Sequence, residues 1–167
     1  MDRRSNNIAI FQDSMDLIKA NQKLQQAVQF SIQNQKLYVP SQAIALPEPG
    51  KSSCKTIVSS KRSFEAASAY AKAGKRVCVL NFASATNPGG GVTRGSTAQE
   101  ECLCRCSTLY PCLDTKTMWH QFYQPHRKAG DPRYNDDLLY TPEVVVFKTD
   151  TLSLIHISEP TRRSYIS

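Results

Sequence analysis

Apolar positions along this chain keep two different rhythms. Over residues 6–35 they recur at helical spacing: Ile8, Phe11, Met15 and Ile18, then Leu24, Ala27, Val28 and Ile32, with Asn, Gln and Lys between them. The spacing predicts helix over 6–35, broken near Asn21 into two pieces, and serving as an amphipathic supporting segment. Val39-Pro40 and Leu46-Pro47-Glu48-Pro49-Gly50 then read as loop or extended chain, because proline disfavours helix before it and within it. Lys55-Thr56-Ile57-Val58 reads as a short strand. Ser63 is placed to cap a helix running to Lys72 or Ala73. Glu65 lies in its first turn, Gly74 just past its end, and Phe64, Ala67, Tyr70 and Ala71 on its buried stripe.

The second rhythm is a continuous apolar run. Val77-Cys78-Val79-Leu80, within residues 76–82, has the pattern of a strand buried on both faces. Strand, helix, strand in this order predicts a right-handed parallel crossover. A further helix is expected from about Thr97 to Leu109, ended by Tyr110-Pro111. Residues 111–136 are mixed. They hold an aromatic cluster of Trp119, Phe122 and Tyr123 and a turn at Gly130-Asp131-Pro132. Residues 137–140 and 143–147 read as two more extended pieces. No internal repeat is visible.

Chemistry concentrates between the strand at 76–82 and the helix after it. Gly89-Gly90-Gly91 lies beyond the carboxyl end of the strand, where phosphate sites in parallel sheets sit. Glycine accepts positive φ and carries no Cβ, so backbone N–H groups there can close around an anion. The following helix, opening near Ser96 or Thr97, adds its dipole. Glu100 and Glu101 stand one turn in. Neighbouring side chains on a helix point about 100° apart, so the two carboxylates cannot share one task. A phosphate cradle beside paired acids suits a substrate with both a diphosphate and a sugar bond to break. The plainer alternative is that both glutamates only complement the helix dipole. Asn87 reads equally as a ligand residue or as a turn former before Pro88, and Val92 as a ligand contact or as core.

Whole-chain properties narrow the field. At 167 residues, with 40% apolar and 21% charged residues, the chain makes one globular domain rather than a disordered segment. The net charge of +7 suits an anionic ligand, but the basic residues are scattered, which disfavours a nucleic-acid footprint. Met1-Asp2-Arg3-Arg4 is followed by polar residues, without the apolar run of a secretory leader, and no stretch approaches a membrane span. A cytoplasmic protein is expected, with no membrane partner and with Cys54, Cys78, Cys102, Cys104, Cys106 and Cys112 reduced. Cys102, Cys104, Cys106, Cys112 and His120 lack a C-x-x-C pair, so no metal site is expected. His126 beside Arg127 reads as an ordinary surface or turn pair.

Gly89-Gly90-Gly91 followed by Gln99-Glu100-Glu101 resembles the signature of poly(ADP-ribose) glycohydrolases, in the bacterial-type branch of the macrodomain family. Leu80-Asn81-Phe82-Ala83-Ser84-Ala85-Thr86-Asn87-Pro88, Leu103-Cys104-Arg105 and Ser107-Thr108-Leu109-Tyr110 match that branch closely. Weaker similarity runs through Pro125-His126-Arg127 and Tyr140-Thr141-Pro142 to Val144-Val145-Val146-Phe147, so the resemblance covers roughly residues 36–150. It implies a macrodomain-like α/β fold, three layers α/β/α around a mixed central sheet. It also implies cleavage of ribose–ribose O-glycosidic bonds in poly(ADP-ribose) without a cofactor. Glu101 takes the general-acid role in the resemblance and Glu100 the ribose hydroxyls. Gln99 orients the site, and Gly89, Gly90 and Gly91 grip the diphosphate. Where the general macrodomain pattern has a ribose-binding asparagine, this chain has Ser84, so that role shifts to Asn87. The implied partners are ADP-ribose or poly(ADP-ribose), and ADP-ribosylated proteins.

Residues 152–167 depart from the family pattern. Leu152-Ser153-Leu154-Ile155-His156-Ile157-Ser158-Glu159-Pro160-Thr161-Arg162 reads as the in-frame translation of a sequencing-library adapter. The expected organisation is therefore a helical segment at about 6–35, a catalytic core at about 36–151 incomplete on its C-terminal side, and a non-native tail. Three alternatives stay open: a non-catalytic ADP-ribose reader, a basic nucleic-acid-binding module, and a fragment without activity.

Overall fold

Asn21 divides the N-terminal helical stretch. In the computed structural model, α1 (Arg3–Ala20) ends there and α2 (Gln22–Asn34) begins. The Asn21 side chain accepts the N–H groups of Lys23 at 3.0 Å and Leu24 at 3.2 Å, two donors that a starting helix leaves open. The structure describes residues 2–42, 50, 54–131, 133, 135–149 and the backbone of 164–166. Expectations for 46–49 and 152–163 lie outside the described residues.

The inward face of α1 differs from the apolar pattern. Asn7, Phe11, Ser14 and Ile18 are buried, while Ile8 is exposed. Asn7 and Ser14 earn inner positions through long-range hydrogen bonds. Asn7 Nδ2 donates to Gly95 O at 3.0 Å, and Ser14 Oγ to Arg105 O at 2.7 Å. A buried polar side chain is tolerated where its partner is fixed.

Helices and short strands alternate after that. β1 (Lys36–Tyr38) is followed by α3 (Ser63–Lys72), β2 (Val77–Val79), a 3₁₀ turn at Val92–Arg94 and α4 (Gln99–Cys106). Then come α5 (Leu109–Leu113), α6 (Lys116–Met118), a π-helical turn at Trp119–Tyr123, α7 (Gln124–Ala129), β3 (Leu138–Tyr140) and β4 (Ser164–Ile166). β1 pairs antiparallel with β3, Leu37 opposite Leu139. β2 pairs parallel with β4, Cys78 opposite Tyr165.

Residues 55–58 form no strand: Ile57 is 68% and Val58 93% exposed, and no ladder partner lies beside them among the described residues. Strand preference depends on neighbours to pack against, and the described residues supply none to this segment. The crossover into β2 therefore has no first strand among the described residues. β2 itself is shorter than 76–82 and covered on one side only, with Val79 buried and Cys78, Leu80 and Phe82 exposed. In α3, Phe64 and Ala67 are buried but Tyr70 is exposed. Ser63 is the first helical residue rather than the cap; Arg62 precedes it, and its N–H donates back to Glu65 at 3.1 Å.

The long helix expected over 97–109 divides at Ser107. Ser107 Oγ donates to Leu103 O at 2.7 Å, and Thr108 N–H donates across the fold to Val145 O at 3.0 Å. Phe147 N–H reaches Cys106 O at 3.0 Å. Pairing with 144–148, including the antiparallel bridge Ser107–Val146, replaces helix continuation. Pro111 does not end a helix but sits in the first turn of α5, where its missing N–H costs nothing. The main core gathers Phe11, Phe64, Val79, Val92, Leu103 and Leu109 behind the glycine-rich loop. No helix among the described residues is long and apolar enough to cross a membrane.

Candidate functional site

Gln99, the first residue of α4, ties the end of β2 to two helices. Its Oε1 accepts the Phe82 N–H at 2.8 Å. Its Nε2 donates to Leu80 O at 2.9 Å and to Ser63 Oγ at 3.0 Å. Nothing in the spacing of Ser63 and Gln99 announces this contact, which makes Ser63 a supporting residue that sequence reasoning took for a helix cap.

Glu100 and Glu101 then face opposite stretches of the same loop. Glu100 Oε2 accepts the Ser84 N–H at 2.8 Å, and its Oε1 lies 3.5 Å from Asn81 Nδ2. Glu101 points to the glycines, where its Oε1 accepts the Gly91 N–H at 2.8 Å. Its Oε2 is buried without a protein partner. Both side chains are buried, at 3% and 6% exposure. Burial pushes the Glu100 carboxyl up from 4.5 to about 7. The N–H groups of Ser84 and Gly89 and the Asn81 amide pull it down, while the neighbouring Glu101 charge adds to the rise.

The glycines are required by space and by conformation. Gly89 and Gly90 hold φ of 64° and 58°. A Cβ on Gly90 would stand 2.6 Å from Glu101 Oε1 and 3.3 Å from Glu100 Oε2. One on Gly91 would stand 2.3 Å from Ser96 Oγ, and one on Gly89 2.8 Å from Tyr110 Cδ2. The backbone N–H groups do not open outward as an anion cradle. Gly90 N–H donates to Asn87 O at 3.0 Å, Gly91 N–H to Glu101, and Val92 N–H to Gly89 O at 3.0 Å. A buried carboxylate needs donors, and the Gly91 N–H supplies one to Glu101. The space that a Cβ would take is thus filled by protein groups: the Tyr110 ring at Gly89, the two carboxylates at Gly90 and Ser96 at Gly91.

The remaining predicted residues divide. Val92 is fully buried, and its side chain packs in the main core. Asn87 is half-buried; its Nδ2 donates to Thr86 Oγ1 at 3.1 Å, and its Oδ1 accepts from Arg127. His126 is buried rather than a surface residue, with Nδ1 2.8 Å from Phe122 O, Nε2 2.9 Å from Asn135 Oδ1 and Asp137 at 3.4 Å. Arg127, exposed beside it, reaches the loop instead. A cavity of about 270 Å³ borders Asn81, Tyr123, Asp137 and Thr141. Cys112 Sγ donates to Thr108 O at 3.1 Å, and burial pushes its thiol up to about 12. Among the described residues, no three His, Cys, Asp or Glu side chains gather as a metal site.

With this geometry in view, the microbial-type PARG catalytic domain matches residues 8–149. No curated protein matches the chain. Among solved structures, poly(ADP-ribose) glycohydrolase from Thermomonospora curvata superposes with a TM-score of 0.81 at 30% identity, over 98% of this chain and 64% of that one. The same protein bound to the inhibitor ADP-HPD gives 0.75 at 30% identity, over 98% and 63%. The glycohydrolase from Deinococcus radiodurans in complex with ADP-ribose gives 0.70 at 30% identity, over 84% and 56%. The chain thus spans less than two thirds of the length of these relatives.

Proposed function

Because this chain belongs to the microbial-type poly(ADP-ribose) glycohydrolase family, we propose that it hydrolyses the ribose–ribose O-glycosidic bonds of poly(ADP-ribose) and releases ADP-ribose. The frame of this reading is macrodomain-like, three layers α/β/α around a mixed sheet, with a catalytic core at about 36–151. One observation carries the assignment of roles. Each oxygen of Glu100 faces a donor of the 81–84 loop, whereas Glu101 is fixed by one oxygen to Gly91 and keeps Oε2 unpartnered. A proton donor needs one oxygen held and the other available to the leaving group.

Glu101 gives its proton to the departing ribose oxygen as the bond from that oxygen to the anomeric carbon breaks. The electron pair leaves with the oxygen, water adds to the anomeric carbon, and the water's proton returns to Glu101. Glu100, held by Ser84 and Asn81, meets the ribose hydroxyls. The diphosphate is held at Gly89, Gly90 and Gly91, and its charge sits close to the cationic transition state. Gln99 holds the strand end in register, and the second amide hydrogen of Asn87 serves ribose. No metal or other cofactor enters the reaction, and ADP-ribosylated proteins are the wider substrate class.

The test pairs turnover with binding. Wild-type chain should release ADP-ribose from the polymer, and Glu101→Gln should lose that release while keeping ADP-ribose affinity within a few-fold. Binding without any wild-type turnover would mark a reader. Retained turnover in Glu101→Gln would remove Glu101 from the acid role.

A further inference from the structure

The loop that carries the glycines is gripped from outside as well as by the two glutamates. At one end the Tyr110 ring lies against Gly89, so close that a Cβ there would stand 2.8 Å from its Cδ2. Tyr110 OH donates to Asp114 Oδ2 at 3.1 Å, and Trp119 Nε1 donates to Asp114 Oδ1 at 2.7 Å. The Arg127 guanidinium stacks over the Trp119 ring, 4.8 Å from its centroid. At the other end Arg127 Nε donates to Thr86 O at 2.7 Å, and its terminal NH2 donates to Asn87 Oδ1. The contacts close a circuit from Gly89 through four side chains back to Thr86 and Asn87.

We propose that Tyr110, Asp114, Trp119 and Arg127 form an external brace that holds the glycine loop over the two glutamates, with Arg127 as a positioning residue. The proposal rests on the functional reading above for its consequence, and on the contacts alone for its mechanics. A loop with consecutive glycines has many backbone conformers, and each must be suppressed before Gly91 can meet Glu101. The two glutamates hold it from beneath only. Arginine suits the outer task because its planar fork bonds two loop oxygens while its face stacks on an indole. Arg127 is exposed, so its pairing adds little to global stability. Its effect is therefore local, on the order of residues 86–91.

Hydrogen exchange of the full chain tests the brace, read at the Gly90 and Gly91 amides and at Leu103–Cys106 in α4, with ADP-ribose titration alongside. Arg127→Gln should speed exchange at the loop amides about tenfold with α4 unchanged, and weaken ADP-ribose binding by a similar factor. Arg127→Lys keeps the charge but loses the fork, so it should recover only part of the protection. Trp119→Phe keeps a ring for stacking and loses the Asp114 bond, giving an intermediate result. Unchanged loop exchange in Arg127→Gln overturns the brace, and so does an increase shared equally by α4. If the wild type itself does not bind ADP-ribose, the functional reading fails, while loop exchange still decides the brace.

Discussion

Gly90 and Glu101 meet where no side chain fits: a Cβ on Gly90 would lie 2.6 Å from Glu101 Oε1, and the backbone there holds φ of 58°. Gly90→Ala therefore carries a left-handed penalty and displaces the carboxylate. We expect a loss of roughly 3 kcal/mol, combining about 1–2 kcal/mol of backbone strain with the clash, and loss of turnover. Gly74→Ala isolates the first part, since Gly74 holds φ of 73° with nothing within 4 Å. It should cost about 1 kcal/mol and leave ligand binding unchanged. Thermal unfolding of both variants checks the difference.

Glu100 makes folding pH-dependent in a defined direction. Its carboxyl titrates at about 7 in the fold against an ordinary 4.5, so the folded state binds the extra proton between those values. Below pH 4.5 the group costs nothing. Stability falls as pH rises from 4.5 to 7 and levels off above, by roughly 3 kcal/mol from the size of the shift. Glu100→Gln should remove that slope and be the more stable protein at pH 8. Urea midpoints at pH 5 and pH 8 decide it; equal slopes in both proteins would show that other groups set the profile.

Gln99 joins Phe82, Leu80 and Ser63 with one amide. Gln99→Leu keeps the bulk and loses all three bonds, two of them at strand-end backbone groups. The expected cost is about 2 kcal/mol, from net hydrogen-bond values near 1 kcal/mol reduced by partial exposure. Gln99→Glu keeps an acceptor for the Phe82 N–H but sets a carboxylate against Leu80 O, so it should not rescue. Chemical denaturation of the pair checks this.

Lys148 is a charge that the fold buries to 2% exposure. Its Nζ donates to Ser14 Oγ and Asp13 Oδ2, each at 2.7 Å, pinning α1 to the 144–148 segment. Asp13 is largely exposed and can return to water when the lysine is removed. Lys148→Met should therefore stay within about 1 kcal/mol of wild type, whereas Lys148→Ala, which also opens a cavity, should lose roughly 2–3 kcal/mol. Comparing the two unfolding midpoints separates the buried volume from the charge.

Local rules made part of this protein legible from its residues alone. The break at Asn21, the extent of α3, and the helical turn carrying Gln99, Glu100 and Glu101 beside three glycines follow from caps, periodicity and the φ that only glycine takes without strain. Each depends on neighbours a few positions away. Contacts between distant residues decided the rest. Residues 55–58 find no strand partner among the described residues, α4 stops at Cys106 because the 144–148 segment supplies better partners, and the Gly91 amide turns inward to the buried Glu101 carboxylate. Gln99 finds Ser63 36 residues away, and Arg127 finds Thr86 across 41. Hydrogen-bond partners of that kind are chosen by where the core brings the chain together, and spacing along the sequence does not encode them.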